Sequence, residues 1–287
     1  MPTKITWADE TINPIIGCSK ESEGCQSCYA ENMARRLAAM GTEGYQHVVS
    51  FGRWNGLAAF VPSALKKPYS WKRPRSIFVG SMGDIFMKGV PFEWIDETMR
   101  MIWENKQHTF IFLTKHPARM QEYFSGLTTP GTHTVTAKRL LDRMHYTQCD
   151  HGWHMEYLRG RSLPNLVLGV SAEHQAAFND RVPVLMHIPA VKRFVSMEPM
   201  IGPIELTAID LQNPIGVIVG GESGNKARRL APEWVMTVRD QCAAVNAPFM
   251  FKQWSHENRN EVDTVTGLPY LQDNRTYAKL LWDTNNK

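Results

Sequence analysis

The chain has 287 residues, 43% of them hydrophobic, and a formal net charge of +4. Such a length and apolar fraction suit one large α/β domain or two small ones with a buried core, and with no apolar run of the ~18 residues a membrane helix needs, no transmembrane helix is expected. Met1 to Glu10 has no apolar stretch behind a basic start, so no signal peptide is expected, and a soluble, cytoplasmic protein follows whose mild positive charge permits an anionic partner without requiring one.

In chain order, a first strand is expected near Ile12 to Ile16, then a helix from about Cys28 to Met40. Gly41 to Lys67, with Tyr45, Phe51, Trp54 and Phe60 among scattered glycines, reads as an excursion. Short apolar runs follow at Ser76–Gly80, Thr109–Leu113, Leu166–Val170, Arg193–Val195, Ile215–Val219 and Pro248–Phe251. Runs of this kind are the mark of strands buried on both faces of a parallel sheet. Between them lie helical patterns over Pro91–Asn105, Pro117–Phe124, Gln175–His187 and Pro232–Val245, with prolines where a first helical turn tolerates them.

Polar residues follow nearly every strand: Ser81 and Asp84, Thr114 and Lys115, Ser171 and Glu173, Ser196 and Glu198, Glu222 and Ser223, Lys252 and Gln253. A doubly wound sheet uses only some strand ends for its ligand, whereas a barrel brings all of them to one face. The expectation is therefore an α/β fold, a complete or partial (β/α) TIM-like barrel over residues 1–254 with an inserted loop or lid at about 128–162. Residues 255–287 read as a peripheral tail.

Three of the five cysteines fall in one loop, Cys18, Cys25 and Cys28, with spacing C-x6-C-x2-C. Three thiolates on one flexible loop suit a soft metal. A closed zinc site needs four protein ligands and only three are local, so Cys149, Cys242 or a histidine would have to complete it. A [4Fe–4S] cluster on three cysteines leaves one iron open and is the favoured assignment; zinc and metal-free thiols are the alternatives.

A three-cysteine loop after the first strand of a β/α barrel resembles the radical S-adenosylmethionine (SAM) superfamily. A wider set of segments resembles a phage-associated family of uncharacterised three-cysteine proteins: Ile5-Thr6-Trp7, Asn13-Pro14, Gly17-Cys18, Cys25 to Ala30, Ser81 to Phe86, Leu113 to Lys115, Gly169 to Ser171, Ser196 to Pro199, Gly220 to Gly224 and Phe251 to Trp254. The superfamily's usual spacing is C-x3-C-x2-C, so this loop carries three extra residues, and Ser81 to Asp84 stands where a Gly-Gly-Glu is usual. The resemblance implies an iron–sulfur radical enzyme: Cys18, Cys25 and Cys28 ligate three irons and SAM chelates the fourth. An electron donor protein then drives cleavage of SAM to methionine and a 5′-deoxyadenosyl radical. It implies that Ser81 and Asp84 meet the SAM ammonium and that Ser171 and Glu173 meet its ribose.

Other residues are candidates on their own chemistry. Gly220, Gly221 and Glu222 form either a ligand-approaching loop or an ordinary turn. Glu198 serves substrate or SAM, or pairs with Lys115 or Lys252 across the mouth. Lys115 and Lys252 suit anionic groups, and Trp254 is either a stacking surface or core. Cys149, His145, His151 and His154 read as a surface loop rather than a zinc site, and Cys242 as a buried thiol. Lys66 to Arg75, with Tyr69 and Trp71, and Arg35 with Arg36, are basic stretches that suit a nucleic-acid backbone or a solvated face, as are Lys138, Arg139, Arg143, Arg159 and Arg161 in the insertion. The function expected is radical modification of an anionic substrate, such as a nucleobase or nucleic acid; the alternative is a non-catalytic, metal-stabilised nucleic-acid-binding protein.

Overall fold

The computed structural model describes residues 5–128, 161–206, 215–223 and 226–256. Its centre is a parallel sheet of seven strands: β1 (Glu10–Ile12), β6 (Ser76–Val79), β7 (Thr109–Thr114), β8 (Leu166–Ser171), β9 (Lys192–Met197), β10 (Gly216–Gly220) and β11 (Phe249–Gln253), neighbours in that order. The spatial order follows the chain order without reversal. That is the winding of a barrel; a doubly wound sheet turns back at a switch point. The sheet curls into a half-barrel with β1 and β11 as edges and no pairing between them among the described residues, an arrangement consistent with a partial β/α barrel. The first strand expected at 12–16 is two short ones, β1 and β2 (Ile15–Ile16). The inserted segment expected at 128–162, with its histidines and Cys149, lies almost wholly outside the described residues, as does the tail from 257 onward.

The helices α3 (Phe92–Glu104), α4 (Pro117–Thr128), α5 (Gln175–Met186) and α6 (Pro232–Ala244) pack on the convex face. Strand residues alternate between faces, and the alternation sorts the apolar side chains into two cores. Ile77, Val79, Phe110, Phe112, Leu168, Val170, Val195 and Val217 face the helices. Phe78, Ile111, Val167, Phe194, Ile218 and Met250 face the barrel interior. There Trp7 packs over Phe78 at 4.7 Å and Phe194 at 6.1 Å between ring centroids and fills the centre. Continuing the inward parity past the end of each strand leads to Lys115, Ser171 and Glu173, Ser196 and Glu198, Glu222, and Lys252. The strand period alone therefore carries the polar candidates toward one mouth.

A side layer covers the β1–β6 flank. It comprises α1 (Tyr29–Ala39), α2 (Tyr45–Val48), the hairpin of β3 (Val49–Ser50) and β4 (Arg53–Trp54), and β5 (Ala59–Phe60), which pairs antiparallel with β2. Ile16, Ala30, Ala34, Tyr45, Val48 and Met82 form its small core. The excursion expected over 41–67 is this layer, and its work is to hold α1 and the cysteine loop against the mouth.

Candidate metal and cofactor site

The cysteine loop is tied at both ends. At its start, Gly17 donates to the Met82 carbonyl (3.1 Å) and accepts from the Asp84 N–H (3.3 Å), a parallel bridge to Gly83 beyond the end of β6. Gly17 has φ +102°, and a Cβ there would stand 2.2 Å from the Leu57 carbonyl oxygen, so only glycine permits this crossing. At its end, Cys28 is the N-cap of α1. Between them a single 3₁₀ turn, Glu23–Cys25, folds the loop back.

All three cysteines line one cavity of about 240 Å³ at the C-terminal ends of the strands. Its walls include Trp7, Trp54, Gly80, Ser81, Asp84, Lys115, Ser171, Ser196, Glu198, Glu222 and Lys252. The mouth expected from the strand ends is therefore assembled. Among the described residues no three His, Cys, Asp or Glu side chains stand ready-set around a metal ion. What the three thiols share is a field: burial raises Cys18 far above the ordinary thiol range, and the charges of Asp84, Cys28 and Cys25 push it further. Burial likewise raises Cys28, although the N–H groups of Glu31 and Ala30 at the helix start pull the other way. Cys25 is buried too, but the Lys115 ammonium and the N–H groups of Glu21 and Ser22 outweigh that and lower its pKa. Three soft donors and a carboxylate lining one cavity, with one ammonium among its walls, are the chemistry that suits a thiophilic, positively charged group.

Behind the loop lies an ion-pair network. Glu173 is 1% exposed; it pairs with Arg181 of α5 at 3.0 Å and with Lys115 at 3.4 Å, and Lys115 donates onward to the Ser22 hydroxyl at 2.7 Å. A Cβ on Gly24 would meet Lys115 Nζ at 3.0 Å and Glu173 Cβ at 3.4 Å. Glu173 thus backs the cysteine loop and is not among the residues lining the cavity, a different place from the ribose contact expected of it. Asp84 does line the cavity, yet its oxygens accept from the Thr114 hydroxyl (2.7 Å), the Lys115 N–H (2.9 Å) and the Phe86 N–H (3.0 Å). Ser81 donates to Asn13, and its carbonyl accepts from the Tyr29 hydroxyl at 2.9 Å.

On the far wall Glu198 accepts from Ser196 (2.9 Å) and from Trp7 Nε1 (3.2 Å) and pairs with Lys252 at 2.6 Å. Of the pairings weighed for Glu198, the one to Lys252 is present. Glu222 is held by Arg228, whose backbone N–H donates to it at 2.7 Å and whose guanidinium reaches on to the Glu23 carbonyl at 3.0 Å, a second tie on the cysteine loop. Gly221 has a packing reason, since a Cβ there would stand 2.3 Å from the Ser255 backbone nitrogen; Gly220 packs against Glu198.

Several expected members are elsewhere. Trp254 is buried in the outer core against Phe251 at 4.6 Å, so it offers no stacking face, and Cys242 is a buried helix residue pushed up to about 12 by desolvation. Lys66 to Arg75 lead into the N-terminal end of β6, and Arg75 pairs with Glu10 at the start of β1, so this run sits at the end of the sheet opposite the mouth. Trp7, Arg181 and Arg228 were not singled out as site residues, because their partners stand on other elements; for Trp7 the only cue is a lone tryptophan ahead of the first strand. Among the described residues no helix is long and apolar enough to cross a membrane.

Comparison with known proteins gives one family: that described as protein of unknown function (DUF5131), matching residues 2–283. No curated protein and no solved structure matches the chain.

Proposed function

The chain belongs to the DUF5131 family, and from its site we propose that it holds a [4Fe–4S] cluster through Cys18, Cys25 and Cys28, binds SAM beside it, and performs radical chemistry on an anionic substrate. The observation that carries this reading is the gathering of all three thiols into one cavity at the C-terminal mouth of a parallel half-barrel. Three thiolates leave one iron for a cofactor, and the chemistry such a cluster supplies is one-electron reduction of SAM, with a donor protein as the electron source.

The chain's own residues divide the remaining work. Lys115, Ser22, Glu173 and Arg181 brace the loop from behind, and Arg228 braces it from the side. The Gly80–Gly83 turn, with Asp84, forms the wall next to the cysteines and suits the ammonium of SAM. Ser171 and Ser196 present hydroxyls for a sugar, and Glu198 with Lys252 forms the far wall against an anionic substrate. Trp7 closes the floor and keeps water from rising through the barrel.

Anaerobic purification with metal analysis and an ultraviolet–visible spectrum tests the cluster. Iron with broad brown absorption is expected, lost in Cys25→Ala and kept in Cys242→Ala. The reduced protein given SAM should release 5′-deoxyadenosine. A colourless, zinc-loaded protein, or an iron-loaded one that never cleaves SAM under strong reductant, would refute the reading.

A further inference from the structure

The β3–β4 hairpin turns through Phe51 and Gly52, with φ +51° and +74°. A two-residue turn with both φ values positive is the type I′ geometry, whose first position favours Asn, Asp or Gly. An aromatic side chain there strains the backbone. Burial does not offset that strain, because Phe51 is fully exposed. A residue that weakens its own turn and packs on nothing points to a contact made with something else.

Its surroundings name the chemistry of that something. Arg35 on α1 lies under the turn, its Cδ 3.1 Å from where a Gly52 Cβ would stand. Arg36 and Arg53 are exposed beside it, and none of the three arginines makes an ion pair among the described residues. Between residues 32 and 57 the only acidic side chain is Glu43, which accepts from Ser63; Glu31, which accepts from the Trp54 N–H at 3.3 Å, is neutralised by Lys20 at 3.2 Å. The hairpin runs straight into the cavity: Trp54, at the end of β4, lines it, as does Tyr29 at the start of α1. Among the described residues Trp54 Nε1 is buried without a hydrogen-bond partner, a donor left for an acceptor that these residues do not provide. Exposed aromatic faces interleaved with unpaired guanidinium groups along a rim suit a single nucleic-acid strand, with bases stacking on the rings and phosphates meeting the arginines.

We propose that the α1–hairpin rim, through Phe51, Arg35, Arg36 and Arg53, binds single-stranded nucleic acid and leads a base toward the cysteine-lined cavity. This deepens the proposed function by naming its substrate class, and it moves the nucleic-acid contact away from Lys66–Arg75. A duplex hides its bases from both the rim aromatics and the cavity, so the single strand is the form recognised.

The test is fluorescence anisotropy with a labelled oligothymidylate, a duplex of equal length and poly-glutamate as competitor, over a salt series. Binding should weaken steeply with salt. Replacing Arg35, Arg36 and Arg53 by alanine should flatten the log–log slope by about 2, from ~0.7 per phosphate contact on a single strand. Phe51→Asn should weaken binding about tenfold or more while raising Tm by a few degrees, because asparagine accepts the turn. Lys72→Ala with Arg73→Ala, at the other end of the sheet, should change neither. An unchanged slope in the arginine variant, equal affinity for duplex, displacement by poly-glutamate at equal charge, or Phe51→Asn that binds as well as the parent would overturn the proposal. Iron content and 5′-deoxyadenosine release are read on the same preparations: binding without iron sinks the cluster and spares the rim, and iron without binding does the reverse.

Discussion

Removing the Glu173 carboxylate strands two cations. Arg181, with a side chain 9% exposed, and Lys115, at 16%, both point at it, and Glu173 itself is almost without solvent contact. Taking one partner from a buried pair costs about 3–5 kcal/mol, because the remaining charge is left uncompensated. Arg181 keeps a bond to the Ser171 carbonyl at 2.8 Å and Lys115 keeps Ser22, so the lower end, about 3 kcal/mol, is expected for Glu173→Gln. At about 2–4 °C per kcal/mol for a protein of this size, Tm falls by roughly 6–12 °C. The sign of the pH dependence follows from the carboxyl. Burial raises its pKa, but Lys115 and Arg181 more than offset this and the net shift is downward. A depressed carboxyl contributes stability that is present above its unfolded pKa of about 4.3 and is lost as pH falls through the folded value. The gap between parent and Glu173→Gln should thus be widest near neutrality and close on acidification below about pH 4. Urea unfolding of metal-free protein at several pH values measures it. Because Lys115 leans on both Glu173 and the loop, iron retention after reconstitution should fall with the same substitution. A loss under about 1 kcal/mol, or a gap that widens in acid, would refute the bracing role.

Two further outcomes bear on the site itself. In metal-free protein at neutral pH, Cys25 should be alkylated by iodoacetamide ahead of Cys18 and Cys28, since its thiol is lowered while theirs are raised, and Cys242 should stay unlabelled; equal rates at all four would show the described electrostatics to be wrong. Trp7→Ala should cost about 3–5 kcal/mol by emptying the barrel interior between Phe78 and Phe194, seen as a lower urea midpoint, and a midpoint within about 1 kcal/mol of the parent would mean that the ring is not the floor of the cavity.

Strand, helix and mouth were legible from the sequence because their signals are local. Apolar runs such as Thr109–Leu113 declare buried parallel strands, and proline at the start of α4 and α6 marks where those helices begin. The period of two along each strand then carries Ser171, Ser196, Glu198 and Lys252 inward together, whatever the sheet's final curvature. The three cysteines were legible for the same reason: eleven consecutive residues contain them all. Partnership is a different matter, because it depends on which distant segments the curled sheet brings face to face. Trp7 meets Glu198 across 191 positions of chain, and Arg228 reaches the cysteine loop across 205. Composition makes both Lys66–Arg75 and Arg35–Arg36 basic, yet the first run leads into the start of β6 and the second flanks the hairpin that opens on the cavity. Glu173 shares the inward parity of Ser171, but the arginine of α5 and the lysine after β7 draw its carboxylate behind the loop. The residue types and their alternation therefore determined the sheet and the mouth. The tertiary structure alone decided which charges neutralise one another, because that balance depends on distances that the intervening chain does not encode.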